Sequence, residues 1–463
     1  MKAIFIILFA LGIGFSVGAR ELVVSPGVDA LGKAISAARA GDVIFVKNGT
    51  YKKSAASLEV KQRNITIIGE SREGVVVTGN NYSGKSQGVS TADTYTMLVE
   101  GNNFYAENIT VENTATQAQA VALLSSGDSM VLSSCCLRGY QDTHYAQTRR
   151  QYFVGCEARG DVDFILGDAA VMYDHSVIVS RSRKGGYITA PSDAKILTGA
   201  LRHGIVIKNS ELRAEDGLAD NTCTLGRPWG DHNTSAVYIG CKMGSHIKPE
   251  GWTSWNDANT FMAEYGSTTL GGDAADVSQR VAWSRQLVAD DTASYAIEQF
   301  FKGWDPRTKA QSALLPAPAA VYVSGDTLRW GAVDEARCYL VFRNDSLQGC
   351  TARPAYYIGG KPDERYSVKT ANRYGRLGAA SSGTTTAVEG SRPAPDYKAY
   401  AAGRVLHLPE NEAAEVYSLL GVKVLSSAKS RQVPLAGLAT GIYLVRILLD
   451  GRGSYITQKI IIN

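Results

Sequence analysis

Short apolar runs recur along the first two-thirds of the chain at intervals of about twenty residues. Each run has the length of a strand and is rich in β-branched residues, and Gly, Asn and Ser cluster between the runs. The predicted strands are 64–68, 108–113, 130–132, 151–154, 176–179, 203–209 and 236–239. Helical stripes do not separate most of these runs, so the pattern disfavours a βαβ sheet and indicates a solenoid of parallel strands. The exception is Asp29 to Ala40, where helical spacing predicts a helix that caps the open end of the solenoid.

A different β pattern follows the solenoid. Residues 307–318 end in a Pro-rich stretch that is typical of a linker. Between residues 316 and 390, alternating strands surround Trp330, and a Tyr366 strand ends in Ala371-Asn372. This segment resembles a fibronectin type III module, which implies a small β-sandwich. A second stretch rich in Pro, Gly and Ser, residues 379–395, precedes the last unit.

The last unit spans residues 397–463. It contains the segments Val416 to Val424, Leu435 to Val445 and Lys459 to Asn463. Together they resemble the C-terminal sorting domain of the type IX secretion system, which implies the secretion machinery as a partner. The alternative is a generic small β domain. The predicted fold class is therefore all-β, with a right-handed parallel β-helix catalytic domain over residues 21–306 and two small β-sandwich-like domains after it.

The N-terminal residues and the composition concern location and partners. Lys2 is followed by an apolar run to Phe15 and by Val17-Gly18-Ala19, the pattern of a signal peptide over residues 1–19. The run is shorter than the ~20 residues that span a bilayer, so we expect no membrane span. The predicted location is secreted or on the outer cell surface, with the periplasm as the alternative. A net charge of +4 over 463 residues gives no nucleic-acid footprint.

Seven cysteines are present, and an odd number leaves at least one thiol free. Either Cys135 or Cys136 is expected to face Cys156 across neighbouring turns, as a disulfide or as buried thiols, and Cys338 is a possible disulfide partner of Cys350. Neither the Cys nor the His spacing suits a metal, so we expect no metal and no cofactor.

Polar residues that suit catalysis recur at a constant interval. Gln119, Gln141 and Asp163 are each twenty-two residues apart, and Asp142 adjoins the middle one. One turn of a parallel β-coil would stack them, with neighbouring strands about 4.8 Å apart. Arg227, sixty-four residues after Asp163 and close to three turns on, is expected to grip that carboxylate and keep it ionised. Asp142 would then have the raised pKa of a general acid.

Two reaction classes use such a carboxylate pair. Glycoside hydrolysis passes through a cationic transition state, for which the amides of Gln119 and Gln141 are of no use. Acyl transfer forms an oxyanion that these N–H groups can stabilise, so the amides favour an ester substrate. Because adjacent side chains of a straight strand face opposite ways, Gln141 and Asp142 share one site only if the chain bends, which Gly139 would permit.

Five segments carry a family resemblance: Gln119 to Leu123, Gly139 to Thr143, Gly160 to Gly167, Leu225 to Trp229 and Gly251 to Trp255. In this order and spacing, residues 21–306 are similar to the pectin methylesterases of the parallel β-helix class. The resemblance implies hydrolysis of the C6 methyl esters of pectin. It implies Asp163 as the nucleophile, Asp142 as general acid and base, Gln119 and Gln141 as the oxyanion hole, and Arg227 as the partner of Asp163. It also implies that Trp229 and Trp252 line the cleft.

The chain departs from this family at His144, Leu166 and Lys53. His144, directly after the Gln-Asp-Thr segment, is expected beside the site, where it would alter the pH dependence. Two alternatives remain. One is a pectate lyase or polygalacturonase with the same β-solenoid fold, and the other is a non-catalytic surface protein that serves in binding or adhesion. A Gly-x-Ser-x-Gly match at Gly84 to Gly88 lacks the strand and helix of a serine hydrolase elbow.

Overall fold

The computed structural model describes residues 19–52, 57–86, 88–181, 186–192, 204–229, 233–255, 260–362, 364–381, 399–402, 404–418, 422–449 and 454–462. The first eighteen residues of the predicted signal peptide therefore lie outside the described residues. The chain forms two compact units, one of residues 1–322 and 328–386 and the other of residues 323–327 and 387–463. No helix in the described ranges has both the length and the apolar composition needed to cross a membrane.

Parallel strands between Glu21 and Gln286 wind into a right-handed parallel β-helix with three sheets, as predicted. The first sheet contains Glu21–Val24, Val43–Val46, Thr66–Gly69, Tyr105–Glu107, Met130–Ser133, Arg150–Val154, Ala170–Asp174, Ile205–Lys208, Ser235–Ile239, Phe261–Tyr265 and Arg285–Gln286. The second contains Gly49–Tyr51, Val75–Gly79, Thr110–Asn113, Cys136–Arg138, Glu157–Gly160, Val177–Ser180, Glu211–Ala214, Lys242–Met243 and Thr268–Thr269. The third contains Leu58–Val60, Met97–Val99, Leu123–Ser125, His144–Ala146, Ile165–Gly167, Tyr187–Pro191 and Thr224–Gly226.

All seven strands predicted from the pattern are present, with boundaries shifted by at most two residues. They belong to the first and second sheets, and none belongs to the third. The predicted helix spans Ala30–Ala37, and its Leu31 and Ile35 are buried in the core at the N-terminal end of the solenoid. A 3₁₀ turn at Thr91–Asp93 precedes the strand Met97–Val99 of the third sheet.

The interior of the β-helix is a continuous column of apolar side chains contributed by all three sheets. Cys135 and Cys156 meet there on neighbouring turns, where the Cys135 N–H donates to the Cys156 Sγ at 3.4 Å. Both are free thiols, so core burial rather than a disulfide accounts for this pair. Stacked turns of this kind cover one another's apolar faces, and each turn depends on its neighbours for burial.

The outer face of the first sheet is covered by the segment that follows the β-helix. Short helices span Ile297–Phe300 and Arg307–Ala310, and a 3₁₀ helix spans Ala289–Tyr295. The four-stranded antiparallel sheet after them contains Cys338–Arg343, Ser346–Thr351, Tyr366–Ala371 and Leu377–Ala380. Three further strands, Tyr322–Ser324, Thr327–Arg329 and Ala355–Tyr357, form another small sheet.

Apolar and charged contacts join this segment to the β-helix. Its Leu340 and Phe342 share a buried cluster with Phe45 and Tyr105 of the first sheet. Arg337 forms an ion pair with Glu21 at 2.7 Å, and Arg376 forms one with Glu107 at 3.1 Å. These contacts make the segment part of the same compact unit and not the separate module that was predicted from the sequence.

Two sequence expectations about this region do not hold. The proposed linker 307–318 begins with the helix Arg307–Ala310, and its later carbonyls accept hydrogen bonds from Thr370 and Asn372, so it is packed chain. The proposed Cys338–Cys350 disulfide is absent, and both thiols are free. Cys350 pairs across the sheet with Leu340, which leaves Cys338 two residues further along its strand.

The second unit is an antiparallel sheet of Tyr400–Ala402, Val405–Ser418, Lys423–Pro434, Gly441–Leu449 and Ser454–Ile462. Its own apolar cluster includes Leu406, Val416, Val433, Val445 and Ile447. The unit therefore has a core of its own, which fits the β domain predicted for residues 397–463.

Candidate active site

Asp142 and Asp163 occupy equivalent positions on successive turns of the β-helix. In the third sheet, His144 pairs with Ile165, and each carboxylate lies two residues before its paired position. The Asp142 N–H donates to the Val162 carbonyl at 3.0 Å, which continues the alignment up to the carboxylates. The turn here is twenty-one residues long, so the two carboxylates stack on each other, whereas the sequence interval of twenty-two had aligned Gln141 with Asp163.

Both aspartates have a left-handed backbone, with φ of 65° at Asp142 and 50° at Asp163. This conformation is uncommon for residues with a side chain, and Asp is among those that tolerate it best. The bend at Asp142 falls between the second and third sheets and allows Gln141 and Asp142 to leave the alternation of a straight strand. The left-handed residue of this bend is Asp142 itself, whereas Gly139 has no left-handed φ.

Arg227 binds Asp163 with two parallel hydrogen bonds. Its Nε donates to Oδ1 at 2.9 Å and its Nη2 donates to Oδ2 at 2.6 Å. Arg227 follows the strand Thr224–Gly226, which is two strand pairings from Ile165–Gly167 and not the three turns that the spacing suggested. The bidentate fork fixes the orientation of the Asp163 carboxylate.

The two carboxyl groups differ in their electrostatic surroundings. Burial and then the charge of Asp163 raise the pKa of Asp142 well above its ordinary value, against a smaller opposing effect of Arg227. Burial also raises the pKa of Asp163, but the hydrogen bonds and charge of Arg227 offset part of that rise. Asp163 is therefore the first of the two to ionise, and Asp142 keeps its proton to higher pH.

Gln141 directly precedes Asp142, and both Gln141 and Gln119 are partly exposed. The Ala120 N–H donates to the Gln141 carbonyl at 3.1 Å, which holds the two segments on adjacent turns. Within the described parts of the chain, neither side-chain amide forms a hydrogen bond. Both amides are thus available to a ligand, which is the condition for an oxyanion hole.

Two aromatic rings lie against the guanidinium of Arg227. Its Cζ lies 4.0 Å from the ring centroid of Tyr187 and 4.5 Å from that of Trp255. Trp229 is partly buried and meets the ring of Tyr145 edge to face, with the centroids 6.0 Å apart. The cation–π contacts with Tyr187 and Trp255 limit the orientations that the Arg227 guanidinium can take.

The sequence profile of the Pectinesterase family matches residues 25–304, more than half of the chain. The chain belongs to the pectinesterase family. It is 35% identical over 273 residues to the probable pectinesterase/pectinesterase inhibitor 6 of Arabidopsis thaliana, covering 56% of this chain and 47% of that protein. It is 34% identical over 321 residues to pectinesterase 2 of Citrus sinensis, covering 65% of this chain and 59% of that protein. The chain thus spans about half the length of the curated relatives that it matches.

Solved pectin methylesterases have the same β-helix. The carrot enzyme aligns with a TM-score of 0.55 at 28% identity, covering 62% of this chain and 94% of its own. PemA from Erwinia chrysanthemi aligns with a TM-score of 0.52 at 26% identity, covering 62% and 98%. A pectin methylesterase in complex with a hexasaccharide aligns with a TM-score of 0.53 at 27% identity, covering 62% and 98%.

The pectinesterase segment includes every predicted site residue, but the prediction for Trp252 and the expectation about His144 need correction. Trp252 is only 2% exposed and packs in the core against Tyr238, so its ring cannot line an open cleft. Trp255, in the same segment, is 52% exposed and covers Arg227. His144 is also inside the β-helix, where its ring bonds Ser125 and Tyr173, and burial lowers its pKa to about 3.

Sequence reasoning missed residues that support the site. Arg181 donates from Nη1 to the Gly139 carbonyl at 2.9 Å, and its Cζ lies 3.9 Å from the ring centroid of Tyr140. It therefore holds the segment that leads into Gln141 and Asp142. Arg181 and Tyr187 lie outside the recognisable motifs, and only the wrapping of the chain brings them here. No group of three or more His, Cys, Asp or Glu side chains suited to a metal ion occurs among the described residues.

Proposed function

We propose that this protein hydrolyses the C6 methyl esters of homogalacturonan in pectin, with pectate and methanol as products. The main support is the pair of stacked aspartates, of which one is held by Arg227 and the other is kept protonated by burial. Membership of the pectinesterase family and the structural match to a hexasaccharide complex support the same substrate class.

In the proposed first step, the Asp163 carboxylate attacks the ester carbonyl carbon. Negative charge moves to the carbonyl oxygen, where the N–H groups of Gln119 and Gln141 stabilise it. When the tetrahedral intermediate collapses, Asp142 gives its proton to the methoxy oxygen, and methanol leaves. The product of this step is an anhydride between Asp163 and the C6 carboxyl carbon.

In the second step, water resolves this acyl-enzyme. Asp142, now ionised, removes a proton from the water as it attacks the C6 carbonyl carbon. The bond to the Asp163 oxygen breaks, and Asp163 returns to its carboxylate form within the fork of Arg227. Asp142 ends protonated, as it began, so the cycle needs no external proton carrier.

The decisive experiment is methanol release from esterified pectin in the presence of a chelator. Asp163→Ala should abolish release while the circular dichroism spectrum and melting temperature stay near those of the parent. Asp273→Ala, at an exposed carboxylate away from the site, is the matched control and should retain activity. An unsaturated, ultraviolet-absorbing product that requires calcium, or new reducing ends without methanol, would instead indicate a lyase or a polygalacturonase.

We also propose that the protein is exported, to the medium or the outer cell surface, with the periplasm as the alternative. The support is the signal-peptide pattern of residues 1–19 and the resemblance of residues 397–463 to a type IX sorting domain, which implies the secretion machinery as a partner. Deleting residues 397–463 should leave active enzyme trapped in a host that has this system. Unchanged release into the medium would contradict the sorting role.

A further inference from the structure

Asp161 is a third carboxyl group in the segment of the active site, and it takes no part in the two proposed steps. It lies two residues before Asp163 and is only 1% exposed. Its N–H donates to the Tyr140 carbonyl at 3.1 Å, and the Asp142 N–H donates to the Val162 carbonyl at 3.0 Å. The two segments therefore run side by side, which places Asp161 near both catalytic aspartates.

Neighbouring turns pack closely around Asp161. Gly186 of the next turn passes so near that a Cβ atom there would lie 2.1 Å from the Asp161 carbonyl oxygen. On the preceding turn, the Cζ of Arg181 lies 3.9 Å from the ring centroid of Tyr140. The Nε of Arg181 lies 3.4 Å from the carboxylate of Glu215, so this cation already has an acidic partner. Because Asp161 is enclosed in this way, water screens the effect of its charge on neighbouring groups only weakly.

Within the described parts of the chain, three charged groups act on Asp142. Burial, then the charge of Asp163 and more weakly that of Asp161 raise the pKa of Asp142, whereas Arg227 lowers it. Tyr145 also interacts with Asp142, but burial raises the pKa of its hydroxyl, so this group is uncharged at neutral pH. Before the reaction, Asp142 is thus under the influence of two carboxylates and one guanidinium.

This balance of charge changes when the acyl-enzyme forms. The carboxylate of Asp163 becomes part of an anhydride and loses its charge, whereas Arg227 keeps its own. Of the three groups that acted on Asp142, Asp161 then supplies the negative charge and Arg227 the positive charge. The acyl-enzyme is also the state in which Asp142 must act as a base, so the charge of Asp161 matters most in the second step.

We propose that Asp161 is a positioning residue for proton transfer, whose buried charge keeps Asp142 basic enough to activate water in the acyl-enzyme. The inference rests on the proposed function and assigns that function a further residue. The same charge holds the proton on Asp142 until methanol leaves in the first step. Asp161 acts through Asp142 in both steps and needs no contact with the substrate.

The test measures methanol release from esterified pectin across a pH series, with the full chain carrying Asp161→Asn. The basic limb of kcat/KM reports the loss of the proton from Asp142, and in the variant this limb should move to lower pH by about one unit. Because a weaker base removes the proton of water more slowly, kcat should fall by about three- to tenfold and KM should not rise. Asp161→Glu keeps the charge and should stay closer to the parent in both respects.

A rapid-quench measurement of methanol provides a second readout. Slower hydrolysis of the acyl-enzyme should make the ratio of the burst rate to the steady-state rate larger in Asp161→Asn than in the parent. Asp174→Asn is the matched control, because Asp174 is also a buried carboxylate, but it accepts a hydrogen bond from the Tyr152 hydroxyl at the end of a strand of the first sheet. Its pH profile and burst ratio should match those of the parent.

The outcomes separate this inference from the proposed function. If Asp161→Asn does not fold, the smaller neutral variant Asp161→Ser replaces it. A folded variant whose basic limb and burst ratio equal those of the parent would overturn the role of Asp161, even if its kcat were lower, and the proposed function would stand. If the parent releases no methanol, the proposed function itself fails.

Discussion

The ion pair between Arg227 and Asp163 offers the sharpest test of the proposed mechanism. Arg227→Met removes both hydrogen bonds to the carboxylate of Asp163, whose side chain is only 11% exposed. Breaking a buried pair in this way costs about 3–5 kcal/mol. If that interaction is needed at the transition state, kcat/KM should fall by roughly two to four orders of magnitude. Arg227→Lys keeps the charge and loses the fork, so about one hydrogen bond to a charged group, ~1.5–3 kcal/mol, is lost and the fall should be about 10- to 100-fold.

The pH profile separates an electrostatic role from simple misfolding. Arg227 supplies the effects that lower the pKa of Asp163 against burial. In Arg227→Met the pKa of Asp163 should therefore rise further, and the nucleophile should ionise only at higher pH. The acid limb of kcat/KM, measured by methanol release across a pH series, should move upward while the melting profile still shows a folded protein. An unmoved acid limb, or activity within threefold of the parent, would refute the role given to this pair.

Three further predictions concern neighbouring residues. The raised pKa of Asp142 means that the folded state favours the protonated form of this carboxyl group. This preference stabilises the folded state fully below the ordinary Asp pKa of about 3.9, and the stabilisation is lost as the pH rises through the raised value. Asp142→Asn should therefore have a higher melting temperature than the parent at neutral pH but not at pH ~3. Equal melting temperatures of variant and parent at both pH values would count against the raised pKa of Asp142. Arg181→Gln should lower kcat more than it raises KM, since it loosens the Gln141–Asp142 segment, and an effect on stability alone would leave kcat of the folded enzyme intact. Trp252→Ala should cost about 3–5 kcal/mol of stability in urea unfolding, whereas Trp255→Ala should raise KM with little change in the unfolding curve; the reverse pattern would restore the original assignment.

The three sheets differ in how well their strands can be predicted from the sequence. Seven strands of the first and second sheets, such as Arg150–Val154, contain an apolar run long enough to be recognised, and these seven were predicted. Strands of the third sheet, such as His144–Ala146 and Ile165–Gly167, have three residues each and show no periodicity of their own. They take their conformation from pairing with the turns on either side. The site lies at the start of this third sheet, so motifs revealed it where strand patterns could not.

The length of each turn could not be predicted either. The register is twenty-one residues from His144 to Ile165, twenty-four from Ile165 to Thr189 and thirty-seven from Thr189 to Gly226. Surface loops change length at little energetic cost, so a constant interval along the chain does not fix which residues stack. This is why Arg227 was expected three turns from Asp163 and lies two away. The pairing itself was predicted because the chemistry of a buried carboxylate requires a cation.

The choice between the two tryptophans shows a similar limit. Trp252 and Trp255 are three residues apart in one motif, and composition cannot say which faces inward. In the structure, Trp252 forms a bridge with Gly226 and turns its ring into the core, while Trp255 lies beyond that bridge and is exposed. One backbone pairing thus decides which ring can meet a sugar, and such a pairing is a property of the coil as a whole.

The difference between the two carboxylates arises from an otherwise repetitive fold. Asp142 and Asp163 have the same position on successive turns and the same left-handed backbone, so the coil alone would make them equivalent. Two identical buried carboxyl groups would share a proton and have no distinct roles. Arg227 removes the equivalence because its fork contacts only Asp163. Arg227 follows a strand that lies two pairings away. The difference in role between Asp142 and Asp163 therefore depends on the stacking of turns that are remote in sequence, and a shift in the register of those turns would remove that difference.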